Sequence, residues 1–297
     1  MTDDNTVDGA APPSDLEKLL ANLEVEQLDK YIFVGKSPRE PKRVFGGQVL
    51  AQALNAAIRT VDEKDRMAHS MHAYFLRPGD PSRKIIYEVD PIRDGKSFTT
   101  RRVVAKQNGR AIFNTSISFH ISEPGPSHQF PMPATPEPES LETDKDYWQR
   151  MSEEYPGRFS AMPSWAIDRR PVDRRDYMNP ENDIREPHSQ VWMKALGELP
   201  DDPLLHQTLL AYMSDMTLLG VALHPHPFST RSEGFMFASL DHALWFHQPL
   251  KANQWLLYDQ DSPAAMAARG FLRGSFYSQD GQLVASVAQE ALLRPPA

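Results

Sequence analysis

Residues 209–247 read LLAYMSDMTLLGVALHPHPFSTRSEGFMFASLDHALWFH and predict a largely apolar helix, a turn region and an apolar strand. Residues 216–223 are apolar on nearly every side, which is typical of a helix enclosed by other structure. Asp202 and Pro203 form a favourable helix start, so we expect Asp215 inside the helix rather than at its N-cap. An aspartate inside a buried helix loses solvation and gains nothing from capping, which makes Asp215 a candidate functional group.

Two other polar residues lie on predicted apolar strands. Ser239 follows Phe235 and Phe237 on one strand face, where a buried serine is usually satisfied by nearby groups. Gln289 interrupts the apolar face of the last strand, LVASVAQEALL, and a buried glutamine needs partners for both its amide N–H groups and its carbonyl. Neighbouring backbone groups can provide these partners, so on the residues alone a structural role and a functional role both stay open.

Residues 44–61, VFGGQVLAQALNAAIRTV, predict a second enclosed helix. Gly46 and Gly47 lie at its start and permit another group to approach the backbone closely. Four strand-like runs follow, and Asn108-Gly109 between the last two is a strong hairpin signal. A buried helix followed by antiparallel strands is an α+β unit, in which we expect the sheet to curl round the helix.

This pattern occurs twice in the chain. Two His-Ala pairs, beginning at His72 and His242, lie 170 positions apart, and two hairpin turns, beginning at Asn108 and Asp280, lie 172 apart. Such self-similarity predicts a duplicated unit whose two copies pack together as a pseudo-dimer. The same offsets place three first-half residues opposite Asp215, Ser239 and Gln289, namely Val44, His69 and Ile117. We therefore expect the second half to supply the polar side chains of any site.

Composition divides the chain into four predicted segments. Residues 1–13 are acidic and polar and are expected to be a disordered tail, and residues 14–122 form the first unit, which starts with the capping box of Ser14 and Glu17. Residues 123–163 are rich in proline and acidic residues and are interpreted as a linker. Residues 164–297 form the second unit, which carries the candidate side chains.

Charge and cysteine content exclude several classes of protein. The net charge of −8 and the pI near 5.7 disfavour nucleic acid or an anionic membrane surface as the main partner. There is no cysteine, which removes disulfides, thiolate metal sites and a cysteine nucleophile. No apolar window is long enough to span a bilayer, and the N-terminus resembles neither a signal peptide nor a transit peptide, so a cytoplasmic location is expected.

Motif searches exclude further chemistry. The sequence patterns of serine hydrolases, zinc hydrolases, dinucleotide-binding folds and P-loop proteins do not occur. His224 and His226 are the only histidine pair that hints at a metal, and their proline-rich context favours a rigid surface turn. We expect no metal and no cofactor.

Ordered stretches along the chain carry a family resemblance: VFGGQVLAQAL, HAYFLRPGDP, EPHSQVWMKALGELPDD, HQTLLAYMSDMTLL, SLDHALWFHQPL, QWLLYDQDSP with ARGFLRG, and SQDGQLVASVAQEALLR. They cover most of residues 15–121 and 185–297. They resemble the type II acyl-CoA thioesterase family, whose members fold as a double hotdog. The resemblance implies two tandem hotdog units, each an antiparallel sheet wrapped round a central helix, packed as a pseudo-dimer.

The resemblance also implies an activity and a catalytic set. The expected reaction is hydrolysis of medium- to long-chain fatty acyl-CoA to free fatty acid and CoA. The family's catalytic aspartate, serine or threonine, and glutamine fall on Asp215, Ser239 and Gln289, which would hold one water with Asp215 as general base.

Substrate contacts are expected at the start of the first-half helix and at arginines. Free N–H groups and the helix dipole converge at Gly46, Gly47 and Gln48, whose amides are candidates for polarising the thioester carbonyl. Candidates for binding the CoA phosphates are Arg77, Arg101, Arg102, Arg269 and Arg273. A homo-oligomer, dimer or tetramer, is expected because exposed hotdog sheets often pair between chains.

Two other functions stay open. An enoyl-thioester hydratase or dehydratase on the same fold uses a histidine with a carboxylate, for which His69 and His72 are candidates, although neither stands beside an acid at a suitable spacing. A non-catalytic acyl-CoA binding protein would keep the apolar slot and could dispense with the polar set. The joint presence of Asp215, Ser239 and Gln289 favours the thioesterase.

Overall fold

The computed structural model describes residues 12–39, 43–62, 65–157 and 165–296. Apart from residues 12 and 13, the expected N-terminal tail lies outside the described residues, as does the end of the expected linker, 158–163. The first helix, α1 (Asp15–Leu23), starts at the predicted capping box. The Ser14 hydroxyl accepts from the Glu17 N–H at 3.2 Å, and the Glu17 carboxylate accepts from the Ser14 N–H at 2.7 Å.

The first half of the chain packs one helix against six antiparallel strands. In chain order these are β1 (Glu26–Asp29), β2 (Ile32–Gly35), α2 (Gly46–Ile58), β3 (Met67–Phe75), β4 (Ile85–Asp94), β5 (Phe98–Gln107) and β6 (Arg110–His120). Helix α2 is buried around nearly its whole circumference, as its apolar sequence predicts. Asn108 and Gly109 have φ values of 49° and 70°, the left-handed conformation that the predicted β5–β6 hairpin requires.

The second half repeats this arrangement with additions. Its elements are α3 (Asp144–Glu154), β7 (Ile167–Pro171), β8 (His188–Ala195), α4 (Pro203–Ser214), α5 (Leu218–Val221), β9 (Met236–Ser239), β10 (Asp241–Phe246), β11 (Leu256–Met266), β12 (Arg269–Ser278) and β13 (Leu283–Arg294). Helix α4 starts as predicted, with the Asp202 carboxylate accepting from the Leu204 N–H at 3.0 Å and Pro203 in the first turn.

All the strands of the described residues join in one sheet with the order β1-β2-β4-β5-β6-β3-β10-β13-β12-β11-β8-β7, and β9 pairs with β13. The strand order outward from the β3–β10 junction is β3-β6-β5-β4-β2-β1 on one side and β10-β13-β12-β11-β8-β7 on the other, so the two halves have the same topology. Helices α2 and α4 pack against each other inside the curled sheet. At this contact a Cβ on Gly47 would collide with the Tyr212 carbonyl oxygen, so glycine permits the close approach. The expected α+β pseudo-dimer is confirmed.

The repeat has a different register from the one that the sequence suggests. His72 is exposed whereas His242 is fully buried, so these two residues lie on opposite faces of the sheet. Met71 pairs with Ile117 and is fully buried, which makes Met71 the counterpart of His242. The predicted match was wrong by one residue because a shift of one position along a strand moves a side chain to the other face.

Two further first-half counterparts need correction. The β3–β6 pairing skips from Ala68 to Ser70, and the break between β9 and β10 follows Ser239 in the same way, so Ala68 rather than His69 corresponds to Ser239. Arg59 caps the C-terminus of α2 as Asp215 caps that of α4, so Arg59 replaces Val44 as its counterpart. The offset fails there because the connection that follows α4 is much longer than the one that follows α2.

The segment between the halves packs on the second half. The indole N–H of Trp192 donates to the Pro136 carbonyl at 2.9 Å, and that of Trp255 donates to the Glu139 carboxylate at 2.7 Å. Tyr147, Trp148 and Met151 of α3 form a small buried cluster. This part of the expected linker is therefore ordered structure, and it contributes to the wall of the site described below.

Candidate active site

Asp215 lies at the seam between the halves, between the C-terminus of α4 and the N-terminus of α2. A Cβ on Gly46 would lie 2.5 Å from Asp215 Oδ2, so the first glycine of the pair lets the carboxylate reach the helix start. The Gly47 N–H donates to the same carboxylate. A carboxylate at a helix N-terminus is stabilised by the free N–H groups and by the helix dipole.

Asp215 does not lie inside a helix, contrary to the prediction. Helix α4 ends at Ser214, and Asp215 is its C-cap residue. Thr217 has a φ of 65°, a left-handed conformation that interrupts the helix before α5, and Gln260 Nε2 donates to its hydroxyl at 2.6 Å. The Tyr258 hydroxyl donates to the Ser214 carbonyl at 2.7 Å, which satisfies one of the free carbonyls at the helix end.

The three predicted catalytic side chains meet at this point. Ser239 Oγ donates to Asp215 Oδ1 at 3.1 Å, and Gln289 Nε2 donates to Ser239 Oγ at 3.0 Å. The three residues come from α4, β9 and β13, and the pairing of Ser239 with Ala291 on neighbouring strands brings the hydroxyl beside Gln289. The structure thus joins an acid, an alcohol and an amide in one hydrogen-bonded chain.

Burial changes the proton affinity of this acid. Desolvation raises the pKa of Asp215 from 3.8 to about 7, although hydrogen bonds from Ser239 and from the Gly47 N–H act in the opposite direction. The residue borders a cavity while most of its surroundings are protein. A carboxylate whose pKa lies near neutrality is suited to removing a proton from water.

A fourth side chain, His242, extends the hydrogen-bonded chain and is fully buried, although the sequence indicated it only as a marker of the repeat. His242 Nδ1 lies 2.7 Å from Gln289 Oε1, and His242 Nε2 lies 2.9 Å from Ser214 Oγ. Desolvation lowers the pKa of His242 to about 4, despite an opposing contribution from the Gln289 hydrogen bond, so the ring is neutral at pH 7. The available signal was its alternation with Leu244 and Phe246, which puts it on the buried face of β10.

The predicted substrate-binding residues at the start of α2 differ in their contacts. The Gln48 N–H donates to the Phe45 carbonyl at 3.2 Å, and its side-chain amide donates to the Lys36 carbonyl and the Ser37 hydroxyl at 2.9 and 2.8 Å. The Gly47 N–H is engaged by Asp215. Gly46 begins the helix directly beside Asp215 Oδ2.

Asp215 borders a cavity of about 300 Å³ with a mixed lining. The lining combines apolar, basic and acidic side chains, namely Val191, Leu219, Val221 and Phe237, the arginines Arg169, Arg174, Arg175 and Arg231, and Asp144 and Asp173. Arg169 and Arg174 both form ion pairs with Asp144. A second, mainly apolar cavity of about 430 Å³ is lined in part by Leu223, Phe228, Phe235, Ala265, Met266 and Leu293. Val221 and Phe237 line the first cavity, and Leu223 and Phe235 line the second, so the same two segments of the chain contribute to both cavities.

The arginines proposed from sequence do not line the Asp215 cavity, although Arg269 lines the second one. Arg101 is buried and donates to the Thr60 hydroxyl, and Arg77 donates to the Ala111 carbonyl. Arg102, Arg269 and Arg273 form ion pairs with Asp90, Glu290 and Asp261. The four arginines at the Asp215 cavity lie in 169–175 and at 231, where the sequence analysis found no chemical signal.

The histidines considered for other chemistry have structural contacts. His69 Nε2 lies 2.8 Å from the Ser118 hydroxyl, and the ring of His72 packs edge-on against Trp245. Residues 222–227 form the expected turn, with Pro225 and Pro227 exposed, but His224 is buried within it, with Nδ1 3.2 Å from the His188 carbonyl. The described residues contain no cluster of three or more metal-ligating side chains.

Two hotdog-like units with an Asp–Ser–Gln chain at their seam define a double-hotdog protein with a carboxylate-centred site. The family model described as acyl-CoA thioesterase matches residues 164–292, and that described as acyl-CoA thioesterase N-terminal domain matches residues 36–120. The chain belongs to the acyl-CoA thioesterase family and is an acyl-CoA thioester hydrolase. The predicted family, double hotdog fold and enzyme class are confirmed.

Similar proteins extend over nearly the whole chain. Acyl-CoA thioesterase 2 of Haemophilus influenzae is 39% identical over 94% of this chain and 98% of its own length. Acyl-coenzyme A thioesterase 8 of Homo sapiens is 39% identical over 97% of this chain and 92% of its own. The crystal structure of acyl-CoA thioesterase II TesB2 from Mycobacterium marinum is 42% identical, with a TM-score of 0.77, and covers 94% of this chain and 99% of that one. In the described part of this chain, no helix has the length and apolar character needed to cross a membrane.

Proposed function

We propose that the chain hydrolyses medium- to long-chain fatty acyl-CoA by direct attack of water, with Asp215 as the general base. The observation that carries this proposal is the hydrogen-bonded chain from Gln289 through Ser239 to Asp215 at the edge of a cavity. Water adds to the thioester carbonyl, the C–S bond breaks, and the products are a fatty acid and CoA.

The three side chains have complementary hydrogen-bonding capacity for one water. Ser239 donates its only hydroxyl proton to Asp215, and Gln289 uses one of its two amide protons for Ser239. The other amide proton is available to the water oxygen, and Asp215 accepts the proton that the water loses. The protonated carboxyl then returns this proton to the departing CoA thiolate. General-base catalysis of this kind contributes roughly 10²- to 10⁴-fold.

The thioester oxygen requires donors as negative charge develops on it. Because Gly47 and Gln48 have their N–H groups engaged, Gly46 is the proposed donor among the three residues predicted at the α2 start. The helix dipole adds to the stabilisation of the oxyanion. The first half thus contributes backbone, and the second half contributes side chains.

The lining of the cavity supports a proposal for how acyl-CoA binds. The arginines of the lining are proposed to bind the CoA phosphates, and its apolar residues to guide the acyl chain past Val221 and Phe237 toward the second cavity. This path supports a preference for medium- to long-chain substrates. The homo-oligomeric state and the cytoplasmic location expected from the sequence stay predictions.

The decisive experiment measures thiol release from acyl-CoAs of increasing chain length, with Asp215→Asn beside the unchanged protein. We expect the variant to fold and to lose at least about 100-fold in kcat/KM, since it cannot accept the proton. Asp241→Asn is the matched control: Asp241 accepts from the Glu290 N–H at 2.6 Å, and an asparagine oxygen can do the same.

Three results would contradict the proposal. Near-normal turnover by Asp215→Asn would remove Asp215 as the base, and equal losses in both variants would indicate general disruption. Faster hydrolysis of acetyl-CoA than of medium- and long-chain acyl-CoA would contradict the proposed acyl path. Thiol release from a saturated acyl-CoA also separates a thioesterase from a hydratase and from a binding protein.

A further inference from the structure

The amide of Gln289 can serve the proposed site in only one orientation. With its nitrogen toward Ser239 it donates to the hydroxyl, and the hydroxyl proton then points to Asp215 Oδ1. If the amide were rotated by 180°, its oxygen would face Ser239 and compete with Asp215 for that proton. The water-binding geometry therefore depends on the neighbouring group that determines whether the nitrogen or the oxygen of the Gln289 amide faces Ser239.

His242 is the side chain that selects between the two orientations of the Gln289 amide. Its Nδ1 lies 2.7 Å from Gln289 Oε1, an atom that only accepts, so Nδ1 must carry the proton. In the neutral ring Nε2 is then an acceptor, and Ser214 Oγ lies 2.9 Å from it. The same hydroxyl lies 2.9 Å from the Ala211 carbonyl, so its one proton has two possible acceptors and Ser214 does not by itself fix the tautomer. Ser214 and His242 are fully buried and Gln289 is 1% exposed, so water does not compete for these bonds.

The first half of the chain shows that the fold does not require this polar pair. At the positions that correspond to His242 and Gln289, β3 and β6 carry Met71 and Ile117, paired with each other and fully buried. The same curled sheet therefore packs well with two apolar side chains here. Burying an imidazole and an amide costs desolvation free energy, which a purely structural role at this position does not explain.

We propose that His242 is a positioning residue for thioester hydrolysis, whose Nδ1–H fixes the Gln289 amide with its nitrogen toward Ser239 and so sets the direction of every hydrogen bond up to Asp215. This rests on the function proposed above. His242 does not touch the water or the substrate in this scheme. It acts through Gln289, and Ser214 contacts Nε2 on the other side of the ring.

The test replaces His242 by residues that differ in their ability to donate. His242→Met introduces the residue of the first-half counterpart and removes the donor, whereas His242→Asn retains an N–H close to the Nδ1 position. For the methionine variant we expect kcat to fall about 10- to 100-fold with KM changed less than about threefold, because a misdirected amide affects chemistry more than substrate binding. The asparagine variant should recover most of kcat.

A direct measurement accompanies the kinetics. In the unchanged protein, ¹⁵N NMR of the His242 ring should show Nδ1 protonated and Nε2 unprotonated between pH 6 and 8. A ring protonated at Nε2, or an unchanged kcat in a folded His242→Met variant, would overturn the inference. If instead both His242 variants lost kcat equally while keeping the melting temperature, donation from this position would not be the cause.

The outcome is distinguishable from failure of the proposed function. If Asp215→Asn remains active, the general-base scheme itself fails. If Asp215→Asn is inactive while His242→Met turns over normally, the scheme stands and only the positioning role is wrong. Ser214→Ala gives a milder check, since it removes the hydrogen-bonding partner of Nε2 but leaves Nδ1 beside Gln289, and it should cost less than His242→Met.

Discussion

The two halves of the chain share one framework and differ at four corresponding buried or capping positions. The second half carries Asp215, Ser239, His242 and Gln289, and the first half carries Arg59, Ala68, Met71 and Ile117. Both sets pack beside a central helix within a curled antiparallel sheet. Because the first half is well packed without the polar set, the fold does not require the hydrogen-bonded chain of the second half, and this supports the catalytic role proposed for that chain.

The difference extends to the helix ends. At the seam, the N-terminus of α2 approaches Asp215, and Gly46 and Gly47 allow this approach. The C-terminus of α2 is capped by Arg59, whose guanidinium lies over the Phe33 ring and donates to the Val25 carbonyl. A cation there suits the helix dipole, whereas an anion at the end of α4 depends on the neighbouring α2 for stabilisation. In the proposed mechanism, the second copy therefore supplies the reacting side chains and the first copy supports them.

Exchanging one residue between the halves should have the largest effect. Gln289→Ile introduces the first-half residue, removes the donor to Ser239 and the water, and is expected to lower kcat/KM by at least about 100-fold. The fold should persist, because Ile117 occupies the corresponding place at 0% exposure. Thiol release measures the activity, and circular dichroism on the same sample measures whether the fold persists.

The reciprocal variant completes this comparison. Ile117→Gln buries an amide without the histidine and serine partners, so it should cost about 1–3 kcal/mol of stability while leaving kcat per folded molecule unchanged. Denaturant unfolding measures the first quantity, and thiol release at saturating acyl-CoA, divided by the folded fraction, measures the second. A large loss of activity in this variant would mean that the halves are not chemically distinct.

A substitution at the seam should have a smaller effect. The Cβ of Gly46→Ala would lie 2.5 Å from Asp215 Oδ2 and 3.0 Å from the Phe75 ring, so the helix start must move away from the carboxylate. We expect a loss of about 10-fold in kcat, since displacements on this scale misalign the reacting groups. Gly125→Ala is the control because an added Cβ there meets no atom within 4 Å. Equal activity of the two variants would argue against any role for the α2 start.

How much of the fold and of the candidate site could be predicted from the sequence depended on how far apart along the chain the interacting residues lie. The helix starts and the hairpin turns followed from local chemistry, as with Ser14, Asp202 and Asn108, whose caps and turn conformation depend on adjacent residues. The convergence of Ser239 with Gln289 depended on strand pairing across about 50 residues, which the family resemblance supplied and local pattern did not.

The errors also have physical causes. The helix was extended through Asp215 because apolar residues continue beyond it, while the interruption results from Thr217 and from side chains on distant β11. His242 was matched to the wrong first-half residue because the match was made to another histidine and not to the residue on the same face of the strand. A periodicity of two, applied to residues 241–246, would have placed His242 on the buried face.

The smallest predicted effect concerns stability and pH, and it follows from the raised pKa of Asp215. Between pH 3.8 and about 7 the folded state holds a proton on Asp215 that the unfolded chain has released, so this residue lowers stability progressively as pH rises through that window. Buried His242 and His224, whose pKa values are lowered to about 4, act in the opposite direction, because the unfolded chain binds protons there below pH 6.5.

The informative quantity is therefore the difference in melting temperature between Asp215→Asn and the unchanged protein, in which these histidine contributions cancel. We expect this difference to become more positive from pH 5 to pH 8 by a few degrees, on the order of a 1–2 kcal/mol change. Arg59→Met at the corresponding helix end should give a difference that does not vary over this range, since arginine stays protonated in both states. A pH-independent difference for Asp215→Asn would show that its carboxyl has an ordinary pKa and that the second half bears no electrostatic cost for its site.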